Sequence, residues 1–164
     1  NAVDVFANNN GQMQFKFTNS SLYTGDEYYN VVAGTGTLIA ADSVYAGSVL
    51  VSNSGNNKLV SGKGNDIFFS GVGTDQFVFG KDFGNDKIVA SNSVDTIKFN
   101  DVFDSSKYTI AQKGNDLVIS YQESKTATAD TVTLVNWEVS ASKTNKVSFD
   151  NGNYSISNNQ FVKL

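Results

Sequence analysis

Three aspartates of this 164-residue chain recur in glycine turns: Gly64-Asn65-Asp66, Gly73-Thr74-Asp75 and Gly84-Asn85-Asp86. The other residue types limit what they can do. There is no Cys and no His, and all 12 basic residues are Lys. Without thiol or imidazole there is no thiolate or histidine zinc site. Serine-protease, papain-like and zincin chemistry are excluded with them. Without Arg there is no guanidinium clamp on phosphate. Carboxylate and carbonyl oxygens remain as strong ligands, and those suit the hard cations calcium and magnesium. Absence of Cys leaves the redox compartment open.

The elements that must hold these residues are strands and turns. Hydrophobic residues make up 40% of the chain, enough for a core. Val, Thr, Ser, Asn, Gly, Tyr and Phe dominate, and Glu occurs only at Glu27, Glu123 and Glu138. That composition predicts an all-β fold. Only 40–46 and 102–107 could each hold a short helical turn. Met13, Phe15 and Phe17 alternate with Gln12, Gln14 and Lys16 after the turn signal Asn8-Asn9-Asn10-Gly11. From residue 32 a period of nine appears in the apolar column Val32, Ala41, Leu50, Leu59, Phe68, Phe77. Two residues earlier stand Ser48, Asn57, Asp66 and Asp75, and two earlier again Ala46, Gly55, Gly64 and Gly73. No apolar run is long enough to span a bilayer. The net charge of −4 predicts no nucleic-acid partner.

The two clearest copies are Ser61-Gly62-Lys63-Gly64-Asn65-Asp66-Ile67-Phe68-Phe69 and Ser70-Gly71-Val72-Gly73-Thr74-Asp75-Gln76-Phe77-Val78; Gly84-Asn85-Asp86-Lys87-Ile88 follows after a slip of two residues. These repeats resemble the RTX, or haemolysin-type, nonapeptide calcium repeat Gly-Gly-x-Gly-x-Asp-x-apolar-x, with Ser61 and Ser70 in place of the first Gly. Stretches starting at Asp95, Gly114, Asp130 and Val147 resemble the strands that follow such arrays. The resemblance covers roughly residues 50–152. It implies a calcium-binding parallel β-roll flanked by antiparallel β-strand caps, in which two nonapeptides make one coil and residues 18 apart stack.

On that reading the metal ligands are Asp66, Asp86, Asp75 and Asn57, with carbonyls near Gly62, Gly64, Gly71, Gly73 and Gly84, and the cation is Ca2+. Asp66 with Asp86 ranks first, Asn57 with Asp75 second for want of one charge, and Ser48 with Asp66 third because Ala46 replaces a glycine. One or two ions are expected. Asn30, Thr37 and Ile39 stand where the repeat wants Asp or Gly, so residues 32–50 read as roll-like coils without metal, or as a sheet packed on the roll. The expected organisation is an N-terminal β cap or end of a preceding domain (1–31), a roll (32–92, metal-binding over about 53–90), and a C-terminal β cap (93–164). Asn1 in first place suggests a piece of a longer protein.

Other acidic residues read more plainly. Asp95, Asp101, Asp104 and Asp116 are expected in turns, and Gly114-Asn115-Asp116 as a hairpin turn. Trp137 is expected to close the cap rather than to stack on sugar; Tyr23, Tyr28 and Tyr29 could stack on sugar, and strand packing explains them as well. Asp66 with Asp75 as a glycosidase pair is set aside. The functional expectation is a non-enzymatic calcium-binding module of a secreted or cell-surface bacterial protein of surface-layer or adhesin type, folding on calcium after type I secretion. Residues 153–164 would belong to an uncleaved secretion signal, though no acidic residue precedes its apolar end. Expected partners are calcium, the type I secretion machinery, and cell-surface polysaccharide or further copies of itself. The alternatives are the C-terminal module of a secreted protease, lipase, alginate epimerase or toxin, and a glycan-binding module.

Overall fold

The computed structural model describes residues 2–7, 13–18, 27–40, 47–90, 94–139 and 143–164. The side chains of Met13, Phe15, Phe17, Tyr28 and Tyr29 lie outside the described residues. So do Tyr23, the turn at 8–11, and residues 41–46 with Ala41, Ala46 and the helical turn expected there. The described chain contains no helix and is an all-β roll whose two sheets are mostly parallel, with antiparallel strands at the ends. No helix of the described residues is long and apolar enough to cross a membrane.

The roll alternates between the sheets. β3 (Glu27–Gly34), β5 (Gly47–Ser52), β7 (Ile67–Phe69) and β9 (Asn85–Ala90) run parallel in one. β4 (Thr37–Ile39), β6 (Lys58–Val60), β8 (Gln76–Phe79) and β10 (Thr96–Phe99) run parallel in the other. The roll strands are short, so the inward apolar side chains of one sheet, one in most strands, must meet those of the opposite sheet. Leu50, Leu59, Phe68 and Phe77 do this and are fully buried, while Ile67 beside Phe68 is half-buried.

The nine-residue column holds with one correction. Val32 pairs with Leu50 and Leu50 with Phe68, as expected. Leu59, however, pairs with Leu38, so Ala41 is not its partner in the sheet. The cause is loop length. Only Thr35 and Gly36 separate β3 from β4, where Asn53–Asn57 separate β5 from β6. Three residues are lost there and regained before β5, which restores the 18-residue spacing of Val32 and Leu50. Gly36, not Ile39, therefore lies above Asn57, donating its N–H to Asn57 Oδ1 at 2.8 Å.

The two-residue slip after β8 has a purpose in packing. The longer connection, with Asp82 at φ 55°, folds Phe83 into the core beside Phe79, centroids 5.3 Å apart. Those rings open an aromatic cluster with Phe99, Tyr108 and Phe149 that fills the C-terminal end.

Parallel stacking also runs beyond both expected roll boundaries. It begins at Tyr29, and at the far end β13 (Asp130–Leu134) continues β9 while β14 (Lys146–Phe149) continues β10. The antiparallel caps lie outside these. β1 (Ala2–Ala7) and β2 (Met13–Thr18) precede β3. β11 (Tyr108–Lys113) and β12 (Asp116–Tyr121) follow β13, and β15 (Gly152–Ser157) and β16 (Gln160–Lys163) follow β14.

Candidate calcium centre

Successive strands lie in opposite sheets, so turns nine residues apart fall on opposite edges of the roll. Asp66 and Asp75 therefore stand on different edges. Each joins a ladder along its own edge. On the first, Ser48 N–H donates to Asp66 Oδ1 and Asp66 N–H to Asp86 Oδ1, both at 2.7 Å. On the second, Asn57 N–H donates to Asp75 Oδ1 at 2.7 Å and Asp75 N–H to Asp95 Oδ1 at 2.9 Å. The spacings are 18, 20, 18 and 20 residues, so the slip acts on both edges.

One residue before each Asp a second, exposed ladder runs outside the first. Asn56 Oδ1 accepts from Thr74 N–H at 3.0 Å, and Asn65 Oδ1 from Asn85 N–H at 2.9 Å. The glycines are needed because the turns lie almost in contact. A Cβ at Gly71 would come within 2.7 Å of the Asn53 carbonyl oxygen, and one at Gly84 within 2.5 Å of that of Gly64. At Gly73 it would overlap the Gly55 carbonyl. All three glycines have positive φ, at 78°, 83° and 147° respectively, which a side chain resists independently.

The ladders use one oxygen of each carboxylate, and the fate of the other differs. Asp66 Oδ2 accepts from Gly62 N–H at 3.0 Å and faces Ser61 Oγ at 3.3 Å. Asp86 Oδ2 lies 2.8 Å from Ser61 Oγ, and Asp95 Oδ2 lies 3.2 Å from Ser70 Oγ. Asp75 Oδ2 is buried with no hydrogen-bond partner. An orphaned carboxylate oxygen in the interior is costly unless a cation meets it. The donor set around the turns, carboxylate and carbonyl oxygen, is that of calcium. The residues present thus fit the ion: Asp75, Asn57 and the carbonyls beside Gly71 and Gly73 on one edge, Asp66, Asp86 and those beside Gly62, Gly64 and Gly84 on the other. Bound there, calcium supplies positive charge that neutralises the carboxylates and joins one coil to the next. Among the described residues no three acidic side chains cluster, so carbonyls must carry much of the coordination.

Burial raises the carboxyl of Asp66, and burial together with the nearby Asp66 charge pushes Asp86 up to about 9. Without a cation, this edge favours a proton.

Asp95 is the residue that sequence reasoning missed. It lacks a glycine turn, yet it is fully buried and extends the second ladder. Its signal was the 20-residue distance from Asp75, equal to that of Asp86 from Asp66. Asp130 was also overlooked; its Oδ1 accepts from Gly84 N–H at 3.2 Å, and burial raises its carboxyl. The remaining acids behave as turn residues. Asp101 and Asp104 bond the amides of Val102 and Ser106, and Asp116 Oδ1 accepts from Asn136 N–H at 2.7 Å. Lys113 pairs with Asp116 across a two-residue hairpin loop whose Gly114 has φ 63°. The chain over 105–107 is a turn, with Lys107 N–H bonded to the Asp104 carbonyl. Trp137 packs half-buried against the core, with Nε1 donating to the Thr144 carbonyl and Lys143 Nζ 4.6 Å from its ring centroid.

No curated protein matches the chain. The family model of the RTX calcium-binding nonapeptide repeat (4 copies) matches residues 49–81, the segment that supplies Asn57, Asp66, Asp75 and the tight glycine turns. Those repeats bind Ca2+. With the ladders on both edges and the alternating sheets, the chain carries RTX repeats within a β-roll and is a calcium-binding module.

Proposed function

We propose that this chain is the calcium-folded, non-catalytic module of a bacterial protein exported by type I secretion, and that its parent is a surface-layer protein or adhesin. The observation that carries the calcium switch is Asp75 Oδ2, buried without a hydrogen-bond partner beside carbonyl-lined turns. Weak sites stay empty at cytosolic calcium and fill at the roughly 10⁻⁴–10⁻³ M scale of extracellular modules. A site filled to ten times its Kd adds about 1.4 kcal/mol to stability, so two sites shift a marginal roll decisively. The Cys-free composition, rich in Asn, Ser, Thr and Val, supports a surface lattice or adhesive parent. The non-catalytic role is supported by nucleophiles that lack an imidazole partner and by carboxylates committed to the ladders.

The test is circular dichroism and thermal melting in chelator and in millimolar calcium. Calcium should raise strand content or the melting temperature; identical curves would overturn the reading. Peptide, ester and polysaccharide substrates should show no turnover with calcium present. Reproducible turnover abolished by Asp130→Asn would refute the non-catalytic role.

A further inference from the structure

Repeat position one, glycine in the resembled pattern, is serine at Ser52, Ser61 and Ser70. The three hydroxyls do not make the same bonds. Ser61 Oγ has its shortest contact with Asp86 Oδ2, 2.8 Å away in the next coil of its own edge, with Asp66 Oδ2 and the Gly62 carbonyl at 3.3 and 3.0 Å. Ser70 Oγ repeats this geometry on the other edge, 3.2 Å from Asp95 Oδ2. Both pairs are 25 residues apart. Ser52 is placed to do the same for Asp75 but donates to the backbone carbonyl of Ser70, and Asp75 Oδ2 is left without a hydrogen bond. A hydroxyl has one proton, so each serine makes one such donation at a time.

We propose that Ser61 and Ser70 are positioning residues that latch successive coils through a carboxyl group without a cation, and that the Asn57–Asp75 contact, where Ser52 reaches only a backbone carbonyl, is the one that depends most on calcium. The inference rests on the reading of the stacked turns as cation sites. A hydroxyl bonded to the carboxyl group of the next coil joins two coils much as an ion between them would, only more weakly. The roll is then divided into contacts whose carboxyl groups are latched in chelator and one whose carboxylate depends most on the metal.

Two measurements test this on the full chain. Ser61→Ala should lower the melting temperature in chelator by about 1–6 °C, the scale of a neutral hydrogen bond in a protein of this size. Saturating calcium should restore most of that loss, because the ion then joins the same coils. Equal losses in both conditions would mean that Ser61 only packs, and no loss in chelator would mean that it latches nothing. Amide exchange of the unmutated protein in chelator gives an independent answer. The Asp66 amide should exchange at least tenfold more slowly than the Asn57 amide, and calcium should slow chiefly Asn57. Equal exchange in chelator would overturn the division. If calcium neither binds by calorimetry nor raises the wild-type melting temperature, the cation reading fails, while the chelator data still report on the latch.

Discussion

Single residues set the pH response and the tolerance of the turns. Asp86 has a folded-state carboxyl raised to about 9 by burial and by Asp66, against 3.8 when unfolded. The metal-free native state therefore holds a proton that the unfolded chain releases. That contribution to stability is fully present below about pH 4 and is lost as the pH rises toward 9. In chelator, the melting temperature should fall between pH 5 and pH 9, and Asp86→Asn should flatten the slope; a parallel slope in the variant would refute it. Calcium must displace the same proton, so affinity at this edge should rise with pH. Gly73→Ala should cost more than about 2 kcal/mol and weaken calcium binding, because its Cβ would overlap the Gly55 carbonyl. Gly80→Ala, with open space around it, should be tolerated. Chelator and calcium melts of both variants decide this. Asp66, Asp75 and Asp86 were legible because glycines two residues earlier mark them. Asp95 was hidden by the absence of such a glycine, and the serine latch by its dependence on which way a hydroxyl turns.

At the scale of the element, the roll strands are three to eight residues long, and most expose one core-facing side chain to the opposite sheet. Phe68 in β7 meets Phe77 and Phe79 edge-on at 6.0 and 5.7 Å. Phe68→Ala should cost about 3–5 kcal/mol, and Ile67→Ala, half-buried on the outer side, far less. Urea unfolding of the two variants is the measurement, and comparable losses would contradict the inward and outward assignment. The period of nine gave these strands correctly wherever the connecting turns keep repeat length. It misplaced the partner of Leu59 because β3–β4 gives up three residues to β4–β5, and a compensated change leaves the flanking column untouched. The turn at Thr35-Gly36 is also too short to enclose a cation, which gives a physical reason for metal-free first coils.

The whole molecule is unevenly held. Its middle is a thin core with one apolar residue per strand, while its C-terminal end is filled by Phe79, Phe83, Phe99, Tyr108 and Phe149. Chelator should therefore loosen residues 47–78 at temperatures where the C-terminal end stays folded. Trp137 fluorescence should lag behind the loss of strand circular dichroism, and coincident transitions would refute this. Composition announced an all-β chain, but not where the roll stops. β13 and β14 are far from β9 and β10 in sequence, and no local period ties them together. The alternation of sheets also imposes a parity on length. The N-terminal hairpin β1–β2 and the cap β11–β12 extend one and the same nine-stranded sheet. Removing 18 residues, such as 52–69, would shorten the stack by one layer of about 4.8 Å and leave the two ends facing as before. Removing nine, such as 61–69, would turn everything downstream by half a revolution, so that β1–β3 became continuous with β14–β16 instead. An array of this kind can lengthen by single coils without disturbing whatever its ends are attached to, but each half-coil gained or lost re-aims one end of the molecule against the other.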